Sequence, residues 1–501
     1  MVNKKIISII LLVLILVGGF GVRLYRFNNP IADWHSWRQA DTSAVSRYFV
    51  QHGYDILHPH FEDISNVPSG LENPQGYRFV EFPIYNVEQA VLYQAFPFLT
   101  LEEWGRMVSI IASLLTVLFL YLLVKKYLDT TTAIFVAFLY AFIPYNIYYS
   151  RTILPDTSMV TAIIGGTYFF DKWLENRSKT KLQGSKSTQR LKGFIYFILS
   201  LLFTTASFLL KPYALFFTLP MIYLAIIHFK WRIFLQWKLY VYLIVAVVPL
   251  AWWRIWMLQW PQGIPASSWL FNGNGIRFRP AYFYWLYADR LVRLILGYWG
   301  IFLFLLGISF ISSKPFWEKY RVAVGLLVSF LLSSFIYITV IATGNVQHDY
   351  YQILIIPSIC LLAGVGCTML YNSSHSFASP LFAKLILFIT LGFTLFFGWY
   401  FVRTYFDINN PSIVVAGEAV NKLTPKNAKV IASYNGDTSF LYQTNRQGWP
   451  VFAHRLSTLI KMGADYMIFA NPKPNELAFK SRFKVVAETP QYIIYNLHEK
   501  P

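Results

Sequence analysis

What most constrains this chain is a recurring run of apolar residues close to twenty long, separated by short charged connections. A helix needs about 20 such residues to cross the hydrocarbon of a bilayer. Runs of this kind fall at roughly 6–27, 104–124, 130–150, 153–172, 193–211, 213–229, 239–258, 291–311, 321–342, 353–371 and 383–402. Composition excludes an ordinary soluble domain: 56% of the 501 residues are hydrophobic and only 13% are charged, against about 25% charged in soluble domains. The fold class that follows is mainly α, a polytopic membrane protein with about eleven transmembrane helices.

Charge orients these spans. The formal net charge is +19, which on a soluble chain would point to nucleic acid. Here the lysines and arginines gather in alternate short loops, the pattern of cytoplasmic connections. With Lys4 and Lys5 inside, the inner loops carry Lys125-Lys126, the stretch Lys172–Lys192, then Lys230, Arg232 and Lys238, then Lys314, Lys319 and Arg321. The N-terminus is therefore expected in the cytoplasm, and no nucleic-acid partner is expected. The run 6–27 is too long for a signal-peptide core and ends at no small-residue cleavage site, so it reads as an uncleaved first helix. A polar, mobile linker is expected around Gly184-Ser185-Lys186-Ser187. Cys360 and Cys367 share one apolar span and read as small apolar side chains.

Two parts interrupt the apolar pattern. Residues 28–83 form a long polar segment after the first span, expected as the first extracytoplasmic loop with interfacial helices. Ile84–Phe98 is apolar but short and carries Asn86, Glu88 and Gln89, so it is expected at the membrane interface. Counting it as a span would invert every later loop and break the charge pattern. Residues 403–501 change character: Val430–Tyr434, Tyr466–Phe469 and Gln491–Tyr495 read as strands, with helical periodicity over 413–423 and 455–462. The expectation is a membrane domain over 1–402 followed by a small extracytoplasmic α/β domain over 403–501, serving as scaffold or acceptor recognition.

This topology collects the ionisable groups on one face. Asp33, His35, Arg38, Asp41, His58, His60, Glu81, Arg151, Asp156, Lys211, His348 and Asp349 all fall outside. Charged residues at span ends are costly and so become functional candidates. Asp41, among Trp34, Trp37 and Tyr48, is placed to accept a proton from an acceptor arriving from water; equally, it would cap a short helix starting at Thr42 or Ser43. Glu81 either serves a site or pairs with Arg78. Arg151 either pairs with Asp156 or binds an anion. Lys211 lies in an outer hairpin, where a lone lysine more often snorkels. Gln347–Gln352 sets His348, Asp349, Tyr350 and Tyr351 at a span mouth. His58 and His60 flank Pro59, but spacing supplies no third ligand, so a divalent metal has no clear ligand set.

Taken in order, Trp37-Arg38-Gln39-Ala40-Asp41-Thr42, Glu81-Phe82-Pro83, Arg151 with Pro155-Asp156, and His348-Asp349-Tyr350-Tyr351 resemble the motifs of the GT-C integral-membrane glycosyltransferases. The resemblance is to the branch containing protein O-mannosyltransferases and the ArnT-like aminoarabinose transferases, over residues 1 to about 400. It implies a sugar donor on a polyprenyl phosphate and a lipid, glycan or protein acceptor. The reaction it implies attacks the donor with a hydroxyl or amine on the extracytoplasmic face of the plasma (inner) membrane, with inversion. It makes Asp41 the base and Glu81 a positioning carboxylate. It departs from the family at Thr42, where better-known members carry a second acid, and at Phe82, where the related element carries a lysine. Donor contacts are then expected from Arg38, Arg151, Asp156, Lys211, His348, Asp349 and Tyr350. The rival class is a transporter or flippase of lipid-linked sugar, which would show mid-span charges and inverted repeats with broken helices. Neither is apparent in the sequence.

Overall fold

The computed structural model describes residues 4–183, 187–373 and 379–501; positions 184–186 of the expected linker lie outside the described residues. Among the described residues, eight helices are long and apolar enough to cross a membrane, nine if the bent pair Pro280–Ile295 and Gly300–Ile311 is one span. Three of the apolar runs are not simple rods. The run 130–150 breaks into Thr130–Phe142 and Pro144–Tyr149, because proline at 144 removes a backbone donor and starts a new helix. All but the first two residues of the run 153–172 lie in the 29-residue helix Pro155–Gln183, where Asp156, Asp171 and Lys172 interrupt the apolar pattern. The run 291–311 is broken by a 111° bend. The breaks differ in kind, a proline-started turn at 144 and a 111° bend between Ile295 and Gly300.

The first polar segment folds into a helix, α2 (Ser36–His52), following the first span α1 (Lys4–Arg23). It is enclosed by α3 (Ile84–Ala95) and α4 (Leu101–Tyr127). α3 is only 12 residues long and buries Tyr85, Asn86, Gln89 and Ala90 against this assembly. Gln89 donates to Ser43 Oγ at 3.0 Å and to the Leu101 carbonyl at 2.8 Å. Polar side chains buried in this way tie the helix to α2 and to the start of α4. Thr100 and Glu103 form a reciprocal capping box that starts α4.

Residues 430–496 form a five-stranded sheet of β1 (Val430–Ala432), β2 (Gly448–Trp449), β3 (Tyr466–Ala470), β4 (Lys484–Glu488) and β5 (Tyr492–Asn496), in the order β2-β1-β3-β5-β4. β1 runs parallel to β2 and β3, while β5 is antiparallel to β3 and β4. The three expected strands are the centre of this sheet. The edges, β2 and β4, are too short or too charged to show a period of two. The domain packs on α2: Tyr442 OH lies 2.9 Å from Ser43 Oγ, Arg47 donates to the Tyr442 carbonyl at 2.9 Å, and the Arg47 guanidinium sits 3.6 Å over the Tyr442 ring. Residues 28–83 and 403–501 thus occupy the same end of the helical bundle, as the even number of crossings expected between them requires.

Helices Gly300–Ile311 and Ile356–Tyr371 cross at backbone contact. A Cβ on Gly307 would overlap the Leu362 carbonyl, and one on Gly366 the Leu303 carbonyl. This crossing fixes the helix that begins just after Tyr350. Gly366→Ala is expected to lower stability by about 1–3 kcal/mol through overpacking, seen as a fall in melting temperature in detergent. An unchanged melting curve would show that the crossing can relax.

Candidate active site

α2 starts at Ser36, with His35 in the left-handed region at φ 54° ahead of it. Asp41 therefore lies inside the helix, and the capping role is ruled out by position. The helix is not amphipathic in the usual sense; it is almost wholly buried, including Arg38, Gln39, Asp41, Thr42 and Ser43. Burying so many polar groups is tolerable only if each is paired.

The pairing is crossed relative to the sequence expectation. Arg78 Nη2 lies 2.5 Å from Asp41 Oδ2, and Arg38 Nη2 lies 2.5 Å from Glu81 Oε1. The other Asp41 oxygen accepts from Thr438 Oγ1 of the C-terminal domain at 2.6 Å. Glu81 Oε2 is buried with no hydrogen-bond partner among the described residues. Burial alone would lower the Arg38 guanidinium, but the Glu81 carboxylate and its other anionic neighbours outweigh this and raise it, so Arg38 stays charged.

These groups line a cavity of about 470 Å³. One wall carries Arg38, Asp41, Asp63, Arg78, Glu81 and Thr438, from the first loop and the C-terminal domain. The other carries Lys211, Tyr213, Arg254, Tyr350 and Tyr351, from the ends of membrane helices. Asp63, 2% exposed, is pushed up to about 6 by burial, with the Asp41 charge adding to it. Lys211 donates to both Asp156 oxygens, at 2.8 and 2.7 Å, and its ammonium lies 5.6 Å from the Tyr350 ring centre. Arg254 is half-buried, with no carboxylate in ion-pair range among the described residues; its one recorded hydrogen-bond partner is the Met257 sulfur at 3.8 Å.

Of the residues singled out in the sequence, Asp41, Glu81, Arg38, Lys211 and Tyr350 meet in this cavity, and Asp156 stands behind Lys211. Arg151, His348 and Asp349 do not line it. Arg151 is fully buried, 3.2 Å from Asp33 and hydrogen-bonded to the Tyr25 and Arg26 carbonyls, so it ties the first loop to the bundle and does not pair with Asp156. Asp349 accepts from Tyr149 OH at 2.5 Å, Tyr405 OH at 2.7 Å and Trp34 Nε1 at 3.2 Å, with His35 Nε2 at 2.6 Å. Its carboxylate is saturated. His348 packs among the His35, Trp37, Trp269, Tyr350 and Tyr351 rings and is pushed down to about 4, first by burial and then by His35. His58 and His60 are engaged separately, His58 with Asp55 at 2.8 Å and His60 with the Gln75 carbonyl at 2.7 Å. Among the described residues no three His, Cys, Asp or Glu side chains converge as metal ligands.

The residues that went unread are Arg78 as the partner of Asp41, and Asp63, Arg254 and Thr438. Arg254 had a signal in the sequence: an arginine four residues short of the end of an outward-running apolar span. Thr438 had none, since only the folded domain brings it to α2.

The family model for dolichyl-phosphate-mannose-protein mannosyltransferases matches residues 98–256, less than half of the chain. Among solved structures, ArnT from Cupriavidus metallidurans bound to undecaprenyl phosphate aligns at a TM-score of 0.62 and 12% identity, over 96% of this chain and 97% of that one. The archaeal oligosaccharyltransferase AglB from Archaeoglobus fulgidus, in complex with an inhibitory peptide and a dolichol-phosphate, aligns at 0.61 and 12% identity over 99% of this chain and 75% of that one. No curated protein matches by sequence. The fold is that of the GT-C integral-membrane glycosyltransferases. Within that class it follows ArnT along almost the entire length of both chains.

The saturated and the unsaturated groups should respond differently to substitution. Asp349→Ala is expected to cost about 3–5 kcal/mol, because it strands buried partners, and to lower the melting temperature in detergent. Arg254→Gln should melt like the wild type. Equal melting temperatures for the wild type and Asp349→Ala would refute the structural role given to Asp349.

Proposed function

We propose that this chain is a membrane glycosyltransferase that moves a sugar from a polyprenyl-phosphate donor to an acceptor hydroxyl or amine. The observation that carries this reading is one cavity joining a buried carboxylate, Asp41, to an unpaired cation, Arg254, at the ends of membrane helices. The fold supports it, and so do the lipid phosphates bound by ArnT and AglB. The distribution of lysine and arginine supports an extracytoplasmic site in the plasma (inner) membrane. The acceptor is a lipid, glycan or protein.

The chemistry follows from the two walls. The donor's isoprenoid tail stays in lipid, so its phosphate reaches the membrane-side wall, where Arg254 and Lys211 meet it. The acceptor comes from water to the wall carrying Asp41. The acceptor oxygen or nitrogen attacks the anomeric carbon, and its proton passes to Asp41. The bond from that carbon to the phosphate oxygen breaks, and the electron pair leaves on the polyprenyl phosphate. Developing negative charge there is met by fixed cations in a site of low polarity, where such contacts are strongest. Attack from the face opposite the leaving group inverts the anomeric centre, as in single-displacement glycoside chemistry. Arg78 and Thr438 each occupy one position on the Asp41 oxygens. A carboxylate offers about four acceptor positions, so Asp41 keeps capacity for the incoming proton. Glu81 holds Arg38 in the wall.

Purified protein in liposomes, given a panel of labelled polyprenyl-phosphate sugars with lipid, glycan and peptide acceptors, tests the reading. Asp41→Asn is expected to lower kcat by about 10²–10⁴-fold, the range of a lost acid–base group. Arg254→Gln is expected to raise the donor KM about tenfold, the loss of one charge-assisted contact. Full activity in Asp41→Asn would refute the base assignment. Movement of lipid-linked sugar across the bilayer with no glycosidic product would refute the transferase.

A further inference from the structure

The C-terminal domain reaches the cavity through one turn, residues 434–438. The Tyr434 and Gly436 amides both donate to the Pro450 carbonyl, at 2.8 and 3.1 Å, and the Asp437 amide closes back on the Tyr434 carbonyl at 2.9 Å. Asn435 and Gly436 take positive φ, 55° and 84°, a conformation that favours these two residue types. Three backbone bonds and two left-handed residues hold a turn whose last residue, Thr438, points its hydroxyl at Asp41 Oδ1, 2.6 Å away. The same hydroxyl lies 3.2 Å from the Trp37 carbonyl, one helical turn before Asp41. A hydroxyl has a single proton to give, and the shorter contact to the charged oxygen takes it.

Docking of the domain does not need this contact. Tyr442 meets Ser43, Arg47 and Glu102, and Arg47 also reaches Asn445. Thr438 is therefore dispensable for holding the domain on α2, yet it is aimed at the one carboxylate to which the proposed chemistry assigns the acceptor proton. Resting on that reading of Asp41, we infer that Thr438 is a positioning residue: its hydroxyl fixes the Asp41 carboxylate and makes the C-terminal domain part of the active site. Arg78 grips one carboxylate oxygen from the first loop and Thr438 the other from the C-terminal domain, so the plane of the carboxylate is set by two segments far apart in sequence.

The charged groups facing Asp41 from the surrounding elements are Arg38, Arg78, Glu62, Asp63, Glu81 and Asp437. None of them is altered by Thr438→Val, which keeps the volume and removes the hydroxyl. A hydrogen bond given to a carboxylate changes its stretching frequency, so removing the Thr438 hydroxyl should move the infrared band of Asp41. Infrared spectra of aspartate-labelled full-length protein in nanodiscs read this without substrate, the Asp41 band being assigned by its loss in Asp41→Asn. The expected result is that the band shifts in frequency in Thr438→Val and returns to the wild-type position in Thr438→Ser. In the transfer assay the Thr438→Val variant should lower kcat about tenfold and leave the donor KM unchanged. An unmoved Asp41 band in Thr438→Val would overturn the inference even if transfer activity is found. A shifted band with no transfer in the wild type would uphold the contact and sink only the transferase reading.

Discussion

Burying charge at the end of a membrane bundle sets the terms for everything else in this structure. Removing an ion from water costs several kcal/mol even after relaxation, so each acidic group under the first loop must find a partner. Asp33 takes Arg151, Glu81 takes Arg38, Asp41 takes Arg78, and Asp156 takes Lys211. Asp349 takes His35 and a set of phenol and indole donors. These pairings give the first loop a single arrangement against the bundle and explain why a helix as polar as α2 can be almost fully buried. They also sort the residues by role. A carboxylate with every position filled is structure. A cation left without one, at the wall of a cavity and beside the lipid, has capacity to spare for a ligand.

The sorting depends on three stretches meeting that are remote in sequence. The first loop supplies Asp41 and Arg78, the membrane helices supply Lys211 and Arg254, and the C-terminal domain supplies Thr438. A second, larger cleft of about 690 Å³ lies across Phe61, lined by Tyr48, His52, Glu62, Asn421, Asn445 and Arg446 among others. It has volume, but its cation without an ion-pair partner among the described residues, Lys426, is exposed, and no membrane helix contributes to its lining. Its arginine is spent on the Pro425 and Thr424 carbonyls, and Glu62 faces Arg47.

Most of the architecture was legible in the sequence because bilayer spans announce themselves by length and composition, and the lysine and arginine pattern orders them. The same logic separated Ile84–Phe98 from the full-length spans, and the helix there is only 12 residues long and packed through Tyr85, Asn86 and Gln89. The failures at the site are of one kind. Pairing could be guessed only from neighbours in sequence, so Glu81 was weighed against Arg78 and Arg151 against Asp156. The folded chain instead pairs Glu81 with Arg38, 43 residues away, and Arg151 with Asp33, 118 residues away. Spacing within a loop carries no information about which face of a distant element it will meet. The edge strands escaped for a different reason: β2 is two residues long, and β4 is partly solvated and charged at both ends, leaving no periodicity to detect.

Phe82 is where the loop and the cavity wall meet most directly. In this chain Phe82 packs edge-on against Trp253, ring centres 5.0 Å apart, and Phe79 stacks against Trp260 at 5.7 Å. The Phe82 amide is held by the Leu209 carbonyl at 3.0 Å, two residues before Lys211. The aromatic contact fixes the end of the helix Trp237–Trp256 against the loop, and the residue after Trp253 is Arg254. An apolar anchor in the loop thus holds a helix-borne arginine at the cavity wall. Cationic charge at this wall comes from the bundle, through Arg254 and Lys211, and not from the loop segment that packs against it.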